Sequence, residues 1–230
     1  MRQAFLLSML TCCTWSQQPQ PNFIGGAIGV TTLSADGQTA IAAGGSSVSL
    51  YKPENGITTR FYVGRHLSEY FSLQGNYTLS RNALTLTSLN TLFTRIGDFS
   101  TSGVQESVYE QMRASSQQML GLEAMGYFRP RTSALRPYLS FGGGLAHFSS
   151  RAERVAVQRG TVALPPSTFS ATKPFVRVDV GIDMRIKSGW KFRYSFGETI
   201  TRNPISVQLT PQGKRNLATF QNLFGFVKEF

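Results

Sequence analysis

The segment 216–230 constrains the fold most, because its residues alternate in character with a period of two and end on an aromatic residue. The positions on one face are Ala218, Phe220, Phe224, Phe226 and Phe230. The positions on the other face are Thr219, Gln221, Gly225 and Glu229. A period of two predicts a β-strand with two different faces. Since this strand is the last one, we expect it to pair with the first strand, at 22–32, and so to close a barrel.

Seven further alternating segments precede this one. After Pro21 the predicted strands are 22–32, 57–67, 71–80, 117–129, 137–148, 174–185, 190–201 and 217–230. The connections between them are by turns long (33–56, 81–116, 149–173, 202–216) and short (68–70, 130–136, 187–189). Spanning strands of about 9–11 residues, joined by long extracellular loops and short periplasmic turns, are typical of outer-membrane barrels. The sequence therefore predicts an all-β protein, an eight-stranded antiparallel up-and-down transmembrane β-barrel.

The connection 81–116 leaves an alternative open. Its apolar residues are Leu84, Leu86, Leu89, Leu92 and Phe93. They fit an extra hairpin, which either stands above the membrane or adds two more spanning strands and makes ten.

The predicted strand 174–185 sorts its residues most strictly. Val176, Val178 and Val180 alternate with Arg177, Asp179 and Gly181. We expect the apolar face to contact lipid and the polar face to line the lumen. The charged residues predicted for the lumen are Arg60, Glu123, Arg177, Asp179, Asp183, Arg185, Lys191 and Arg193. Eight strands enclose little more than their own side chains, so we expect these charges to form a structural network without an open pore, the alternative being a proton or ion path.

Alternation alone also fits a soluble lipocalin-like carrier, whose apolar face points inward. The regular change between long and short connections favours the membrane instead. So do aromatic residues beside the short turns, which are predicted to form a periplasmic girdle: Tyr70, Phe71, Tyr127, Phe128, Tyr138, Trp190 and Phe230.

The first residues resemble a secretory signal peptide, with Arg2 ahead of a short apolar core. We predict a signal peptide at 1–16 and a barrel domain at 17–230, so that the protein is exported through the periplasm to the outer membrane. Cys12 and Cys13 are the only cysteines of the chain, and both lie in the segment predicted to be removed. We therefore expect no disulfide and no thiolate metal site in the mature protein.

The net charge of +11 comes from basic residues that are scattered along the chain. They form no stripe interleaved with aromatic residues, so we expect no nucleic-acid partner. The basic residues of the predicted long loops are Arg151, Arg154, Arg159, Lys173, Arg202, Lys214 and Arg215. We expect this basic rim to contact phosphates of lipopolysaccharide or another anionic surface, the alternative being a solvated loop surface without a partner.

Segments 61–77, 126–130, 136–138 and 140–144, together with the final Phe230, resemble the small outer-membrane β-barrels related to OmpA and the opacity proteins. The resemblance implies a structural or surface-interaction role in the cell envelope, in a monomer without enzymatic activity or cofactor. It also implies that the last strand, with Phe224, Phe226 and Phe230, is the signal that the outer-membrane assembly machinery reads. Lys228 departs from the family pattern, in which an apolar residue is usual, and we expect it to reach the interface by snorkelling.

One motif points to an alternative function. His147 and Ser149 are similar to the His-x-Ser pair of the outer-membrane lipid A deacylases, and Glu153 is the nearest carboxylate. Such chemistry needs the histidine to activate the serine and an acid to orient the histidine. In that family the pair is followed by Asn, whereas here Ser150 follows, so we expect no catalytic site. His66 stands alone in the sequence, and we expect no metal site.

Overall fold

The computed structural model describes residues 21–34, 38–42, 45–53, 55–96, 101–160, 166–187, 189–204 and 216–230, which contain strands and turns but no helix. The strands are β1 (Asn22–Ser34), β2 (Gln38–Ala42), β3 (Gly45–Pro53), β4 (Asn55–His66), β5 (Phe71–Ile96), β6 (Thr101–Tyr127), β7 (Leu135–Arg159), β8 (Thr168–Lys187), β9 (Trp190–Arg202) and β10 (Asn216–Glu229). Within the described residues, no helix is long and apolar enough to cross a membrane.

Eight of these strands form a closed antiparallel ring. Their order is β1, β4, β5, β6, β7, β8, β9 and β10, and β10 pairs with β1. Phe23 lies opposite Glu229 and Ser34 opposite Ala218. The backbone N–H groups of Asn22 and Phe230 each donate to the other residue's carbonyl over 3.0 Å. The predicted eight-stranded barrel, closed by its last strand on its first, is confirmed.

The long connection predicted at 81–116 is wrong. β5 and β6 continue through it as one hairpin and pair from Phe71–Gly126 to Ile96–Thr101. β7 and β8 also extend into the predicted loop 149–173, and the hairpin β2–β3 lies outside the ring, where β3 pairs with β5. Of the two forms expected for an extra hairpin, the one above the membrane is therefore confirmed, as a continuation of ring strands, and no spanning strand is added.

The reason for the error is that the two faces of β5 exchange character near Arg81. Before this residue the outward positions are apolar, as at Leu73, and the inward positions are polar, as at Gln74. After it the inward positions are the buried Leu84 and Leu86, while Arg81 itself is exposed. The strand keeps its period of two, but its surroundings change from lipid outside to water outside.

Around the ring, the apolar face of the spanning part points outward. Val176, Val178 and Val180 are 44–50% exposed, whereas Arg177 and Asp179 between them are at most 2% exposed. A soluble lipocalin-like carrier requires the opposite arrangement, so that alternative is wrong.

In β10 the exceptions to the sequence alternation also follow the strand geometry. Leu223 and Val227 are buried and face inward, whereas Asn222 and Lys228 lie on the outward positions. The ammonium group of Lys228 lies 5.4 Å from the centre of the Trp190 ring, at the end of the barrel with short turns. This position places the charge beside an aromatic residue at the edge of the apolar band, as snorkelling predicts.

The predicted aromatic girdle needs two corrections. Tyr70, Phe71, Phe128, Trp190 and Phe230 are 45–71% exposed, as a girdle requires. Tyr127 and Tyr138, in contrast, are each 4% exposed and point into the barrel. Adjacent strand residues face opposite sides, so Tyr127 must point inward when Phe128 points outward, and Tyr138 is its direct partner on β7.

The seam between β1 and β10 can be tested with cysteine pairs, in a chain whose Cys12 and Cys13 are replaced by serine. Ile28 and Phe224 face each other across the seam, so the variant with cysteine at both positions is expected to cross-link under mild oxidation. Pairing Ile28 with Phe226 gives a diagonal of roughly 7–8 Å, which is beyond the reach of a disulfide. Electrophoresis without reductant measures both products, and equal cross-linking of the two pairs would contradict the register.

Candidate functional site

The middle of the lumen holds four buried charged residues, which we call the central cluster: Arg60, Glu123, Arg177 and Asp179. They come from inward positions of β4, β6 and β8. Arg60 Nη1 lies 3.1 Å from Asp179 Oδ2, and Arg177 Nε lies 2.8 Å from the same oxygen. Arg177 Nε is also 3.3 Å from Glu123 Oε1. Two guanidinium groups thus neutralise two carboxylates in a space without room for bulk water.

Asp179 fits there because the neighbouring strand carries a glycine opposite it. Gly197 pairs with Asp179 in the β8–β9 register. A Cβ atom on Gly197 would lie 1.4 Å from Asp179 Oδ1. Glycine lets the carboxylate lie across the neighbouring backbone, so the ion pairs depend on this residue as well as on the charges themselves.

A second group, the lower cluster, consists of Tyr127, Asp183 and Arg193 on the short-turn side. Arg193 donates two hydrogen bonds to Asp183, from Nε to Oδ1 over 2.6 Å and from Nη2 to Oδ2 over 2.8 Å. The Tyr127 hydroxyl donates to Asp183 Oδ2 over 3.2 Å. The guanidinium group also lies 4.9 Å from the Tyr62 ring centre and 5.2 Å from that of Tyr138. Bidentate pairing between aromatic faces fixes the position of this arginine.

Two glutamines join these groups, and neither is among the residues predicted for the lumen. Gln74 donates to Glu123 Oε2 over 2.9 Å and accepts from Arg193 Nη1 over 3.0 Å, so it bridges the two clusters. Gln221 Oε1 accepts from Arg177 Nη2 over 2.6 Å and from Arg60 Nη2 over 3.1 Å. Both glutamines lie on the polar face of strands whose residues alternate in character, and this position could have identified them. An inward amide near buried charges can both donate to a carboxylate and accept from a guanidinium group.

Apolar layers close the lumen on both sides of the charges. Towards the long-loop end, buried residues of five strands pack together: Leu33, Leu84, Leu86, Tyr109, Phe148 and Leu217. Towards the short turns a second set packs beneath the ion pairs: Phe23, Tyr62, Met125, Tyr127, Tyr138 and Val227. The described lumen is therefore filled along its length by side chains, with polar residues between two apolar layers.

The sequence profile of the outer membrane protein β-barrel domain family matches residues 4–221. The chain belongs to this family. It is therefore a protein of the bacterial outer membrane, and its long hairpins are extracellular while its short turns are periplasmic.

Three solved structures show how far the likeness extends. Ail, the attachment invasion locus protein of Yersinia pestis, is 8% identical over 93% of this chain and 100% of its own, with a TM-score of 0.51. For Neisserial surface protein A the identity is 11%, the coverage 91% and 97%, and the TM-score 0.49. The N-terminal β-barrel domain of Pseudomonas aeruginosa OprF is 14% identical over 93% of this chain and 100% of its own, with a TM-score of 0.41. The likeness to Ail shows a shared fold, and no curated protein sequence matches the chain.

Two charges predicted for the lumen lie near its periplasmic end. Arg185 is exposed and donates to the Arg131 carbonyl over 2.7 Å. Arg185 still pairs with Lys191, but a register shift between Arg185 and Lys187 interrupts the β8–β9 pairing directly beyond it, so Arg185 lies at the end of the regular strand. Lys191 is buried and pairs with Glu229 over 2.5 Å.

His66 is not isolated, contrary to the expectation from the sequence. Its Nδ1 lies 2.6 Å from Ser72 Oγ, and its Nε2 lies 2.7 Å from Glu229 Oε1. Ser72, His66 and Glu229 are thus connected like the catalytic triad of a hydrolase, but Ser72 and His66 are each 2% exposed. Because an acyl group cannot reach the serine oxygen there, the three residues serve to hold the end of β10 against β4 and β5.

The structure does not assemble the deacylase-like residues His147, Ser149 and Glu153. His147 Nδ1 lies 2.9 Å from Thr172 Oγ1 on β8, whereas Ser149 Oγ lies 2.9 Å from Ser116 Oγ on β6. Glu153 is exposed and has no hydrogen bond to either residue. The histidine therefore neither activates the serine nor is oriented by an acid, as nucleophilic catalysis requires. Within the described residues, no group of three or more His, Cys, Asp or Glu side chains is arranged to hold a metal.

The remaining predicted residues divide between the lipid face and segments that are not described. Phe224, Phe226 and Phe230 are 51–68% exposed on the outward face of β10. The predicted signal peptide at 1–16, with Cys12 and Cys13, lies outside the described residues, and so do Lys214 and Arg215.

Removing one member of the central cluster is expected to destabilise the barrel. Arg177→Ala or Asp179→Ala leaves a buried charge without its partner, which typically costs about 3–5 kcal/mol. The free energy of unfolding, or the temperature at which the detergent-folded protein loses its heat-modifiable mobility, measures the loss. Arg185→Ala, at the exposed turn, is the control and should change stability little. Full stability of Arg177→Ala together with altered conductance would show instead that the cluster is an ion path.

Proposed function

We propose that the protein is a closed, non-enzymatic barrel whose extracellular strand extension interacts with anionic surfaces. The observation that carries the proposal is the combination of a lumen filled with side chains and strands much longer than a membrane requires. β6 has 27 residues, whereas about 9–11 residues span the bilayer. Roughly 16 residues therefore remain, or about 50 Å along the strand. Strands that extend so far beyond the bilayer suit contact with an extracellular surface better than transport through the lumen.

The absence of an assembled catalytic group in the described residues supports the non-enzymatic part of the proposal. His147 and Ser149 bond to different neighbouring strands, and Ser72 with His66 is buried beneath the lumen layers. A deacylation assay on the folded protein is expected to give no product above that of the His147→Ala variant.

Charge supports the choice of partner. Arg151, Arg154 and Arg159 are exposed on the extracellular extension of β7. Exposed cations near a surface attract anionic groups with about 1 kcal/mol each at low salt. We therefore propose that this basic rim contacts phosphates of lipopolysaccharide or a similar polyanion.

Two further roles are proposed for the barrel in its membrane. Phe224, Phe226 and Phe230 form an aromatic stripe on the outward face of β10, and we propose that the assembly machinery recognises this strand before it pairs with β1. After closure no ring strand has an unpaired edge within the described spanning part, which supports a monomer in the membrane.

The surface proposal can be tested with Arg154→Glu combined with Arg159→Glu. With the protein in the outer membrane of a host bacterium, only the extracellular end can reach fluorescent dextran sulfate added outside. The double variant is expected to bind at least about tenfold less than the wild type, since each reversed charge loses about 1 kcal/mol or more. Neutral dextran and the periplasmic variant Arg185→Glu are the controls. Binding that is unchanged by the double variant, or equal for both dextrans, would contradict the proposal.

A further inference from the structure

The outward face of β5, β6 and β7 contains a groove where large side chains are missing. Gly75 of β5, Leu122 of β6 and Gly143 of β7 lie side by side across these strands. Larger side chains, including those of Phe61, Tyr77 and Leu145, form the walls of the groove. Its volume is about 670 Å³. We call it the acyl groove, because it is apolar and open to lipid.

The acyl groove begins at the middle of the membrane. Gly75 is halfway between Phe71 and Leu79, which bound the outward apolar residues that precede Arg81 on β5. Arg81 is the next outward residue, six positions beyond Gly75, or about 20 Å along the strand. At a tilt of about 40° this is about 15 Å along the membrane normal, half of the hydrocarbon thickness. The groove, whose β5 residues are Gly75 to Tyr77, therefore lies near the middle of the bilayer, and Arg81 lies above it at the extracellular interface.

A second depression of about 800 Å³ lies on the same strands above the acyl groove. Its floor consists of small residues in register across three strands, where Ser116 pairs with Ser149 and Ser149 with Ser170, and Arg81 on β5 pairs with Ser116. Arg151 borders it on β7 in the next row, and Glu153 lies at its edge. We call it the headgroup basin.

The basin offers cations and hydroxyl groups, and Glu153 at its edge forms no ion pair with either of the two arginines among the described residues. Arg81 and Arg151 are exposed, and neither has an ion-pair partner within the described part of the chain. The Ser116 and Ser149 hydroxyls bond to each other over 2.9 Å, and each keeps capacity for a further hydrogen bond. Guanidinium groups bind phosphate oxygens in a bidentate manner, and serine hydroxyls suit phosphate or sugar oxygens.

We propose that the acyl groove and the headgroup basin form one binding site for a phosphorylated, acylated lipid of the outer leaflet. One acyl chain lies in the groove against Gly75 and Gly143, while the phosphate is held between Arg81 and Arg151. Since bilayer chains are as apolar as the groove, the groove contributes close packing against the backbone and the basin supplies the selectivity. The site faces the lipid and shares Arg151 with the basic rim proposed above, but it uses neither Arg154 nor Arg159, so variants of those two residues test the rim without altering this site.

Filling the groove is the first test. A Cβ at Gly75 would lie 3.6 Å from Leu122 Cδ2 and 4.0 Å from the Val63 carbonyl, so Gly75→Leu introduces a side chain without a backbone clash. Gly126 is an outward glycine at the periplasmic end, where a Cβ would lie 3.9 Å from both Leu139 O and Phe71 Cε1. Gly126→Leu is therefore the matched control. Heat-modifiable mobility verifies that each variant is folded.

Native mass spectrometry of the detergent-folded protein with added bisphosphorylated lipid A measures occupancy. We expect one bound lipid on the wild type and on Gly126→Leu, and about tenfold weaker binding to Gly75→Leu. Equal binding to Gly75→Leu and the wild type would overturn the proposal. So would a Gly75→Leu variant that loses a protein dimer but keeps its lipid, since the groove would then belong to a second copy.

The basin is tested separately, so that the result does not depend on the glycine variant. Arg81→Gln combined with Arg151→Gln is expected to weaken binding of bisphosphorylated lipid A at least about tenfold. Dephosphorylated lipid A should bind the wild type and this variant equally weakly. Equal binding of the two lipids to the wild type would show that the arginines recognise no phosphate and would contradict the site.

Discussion

The structure depends on a constraint of the bilayer, which offers no hydrogen-bond partners to the backbone. A sheet in lipid must therefore close on itself, since an open edge would leave a row of N–H and C=O groups unpaired. β10 meets this requirement by pairing with β1 along its length, from Glu229 opposite Phe23 to Ala218 opposite Ser34. Closure fixes the ring of eight strands, and the ring in turn determines which residues face lipid and which are enclosed.

Eight strands enclose a narrow interior, and this explains the chemistry of the lumen. Any charge placed there loses water and needs a partner. Arg60, Arg177 and Arg193 meet this need with Asp179, Glu123 and Asp183. The apolar layers above and below the ion pairs complete the filling. A barrel of this kind is a rigid support, and its distinguishing chemistry lies on its outer and extracellular surfaces.

The period of two was sufficient to predict the ring, the inward charges such as Arg177 and the outward position of Lys228, because one constraint governs every spanning residue. It failed beyond Arg81, where water replaces lipid and Leu84 turns inward without any break in the strand. It also failed for contacts that join distant strands. Nothing in the sequence brings His66 to Ser72 and Glu229, or Arg81 to Arg151, since only the register between strands places them together.

Single-channel recording in a planar bilayer tests the closed lumen most directly. The layers of ion pairs and apolar side chains predict that the wild-type barrel, inserted and verified as folded, gives no current steps above the bare bilayer. Stable unitary openings of the wild-type protein would contradict the account, because ions would then cross a lumen that the side chains fill.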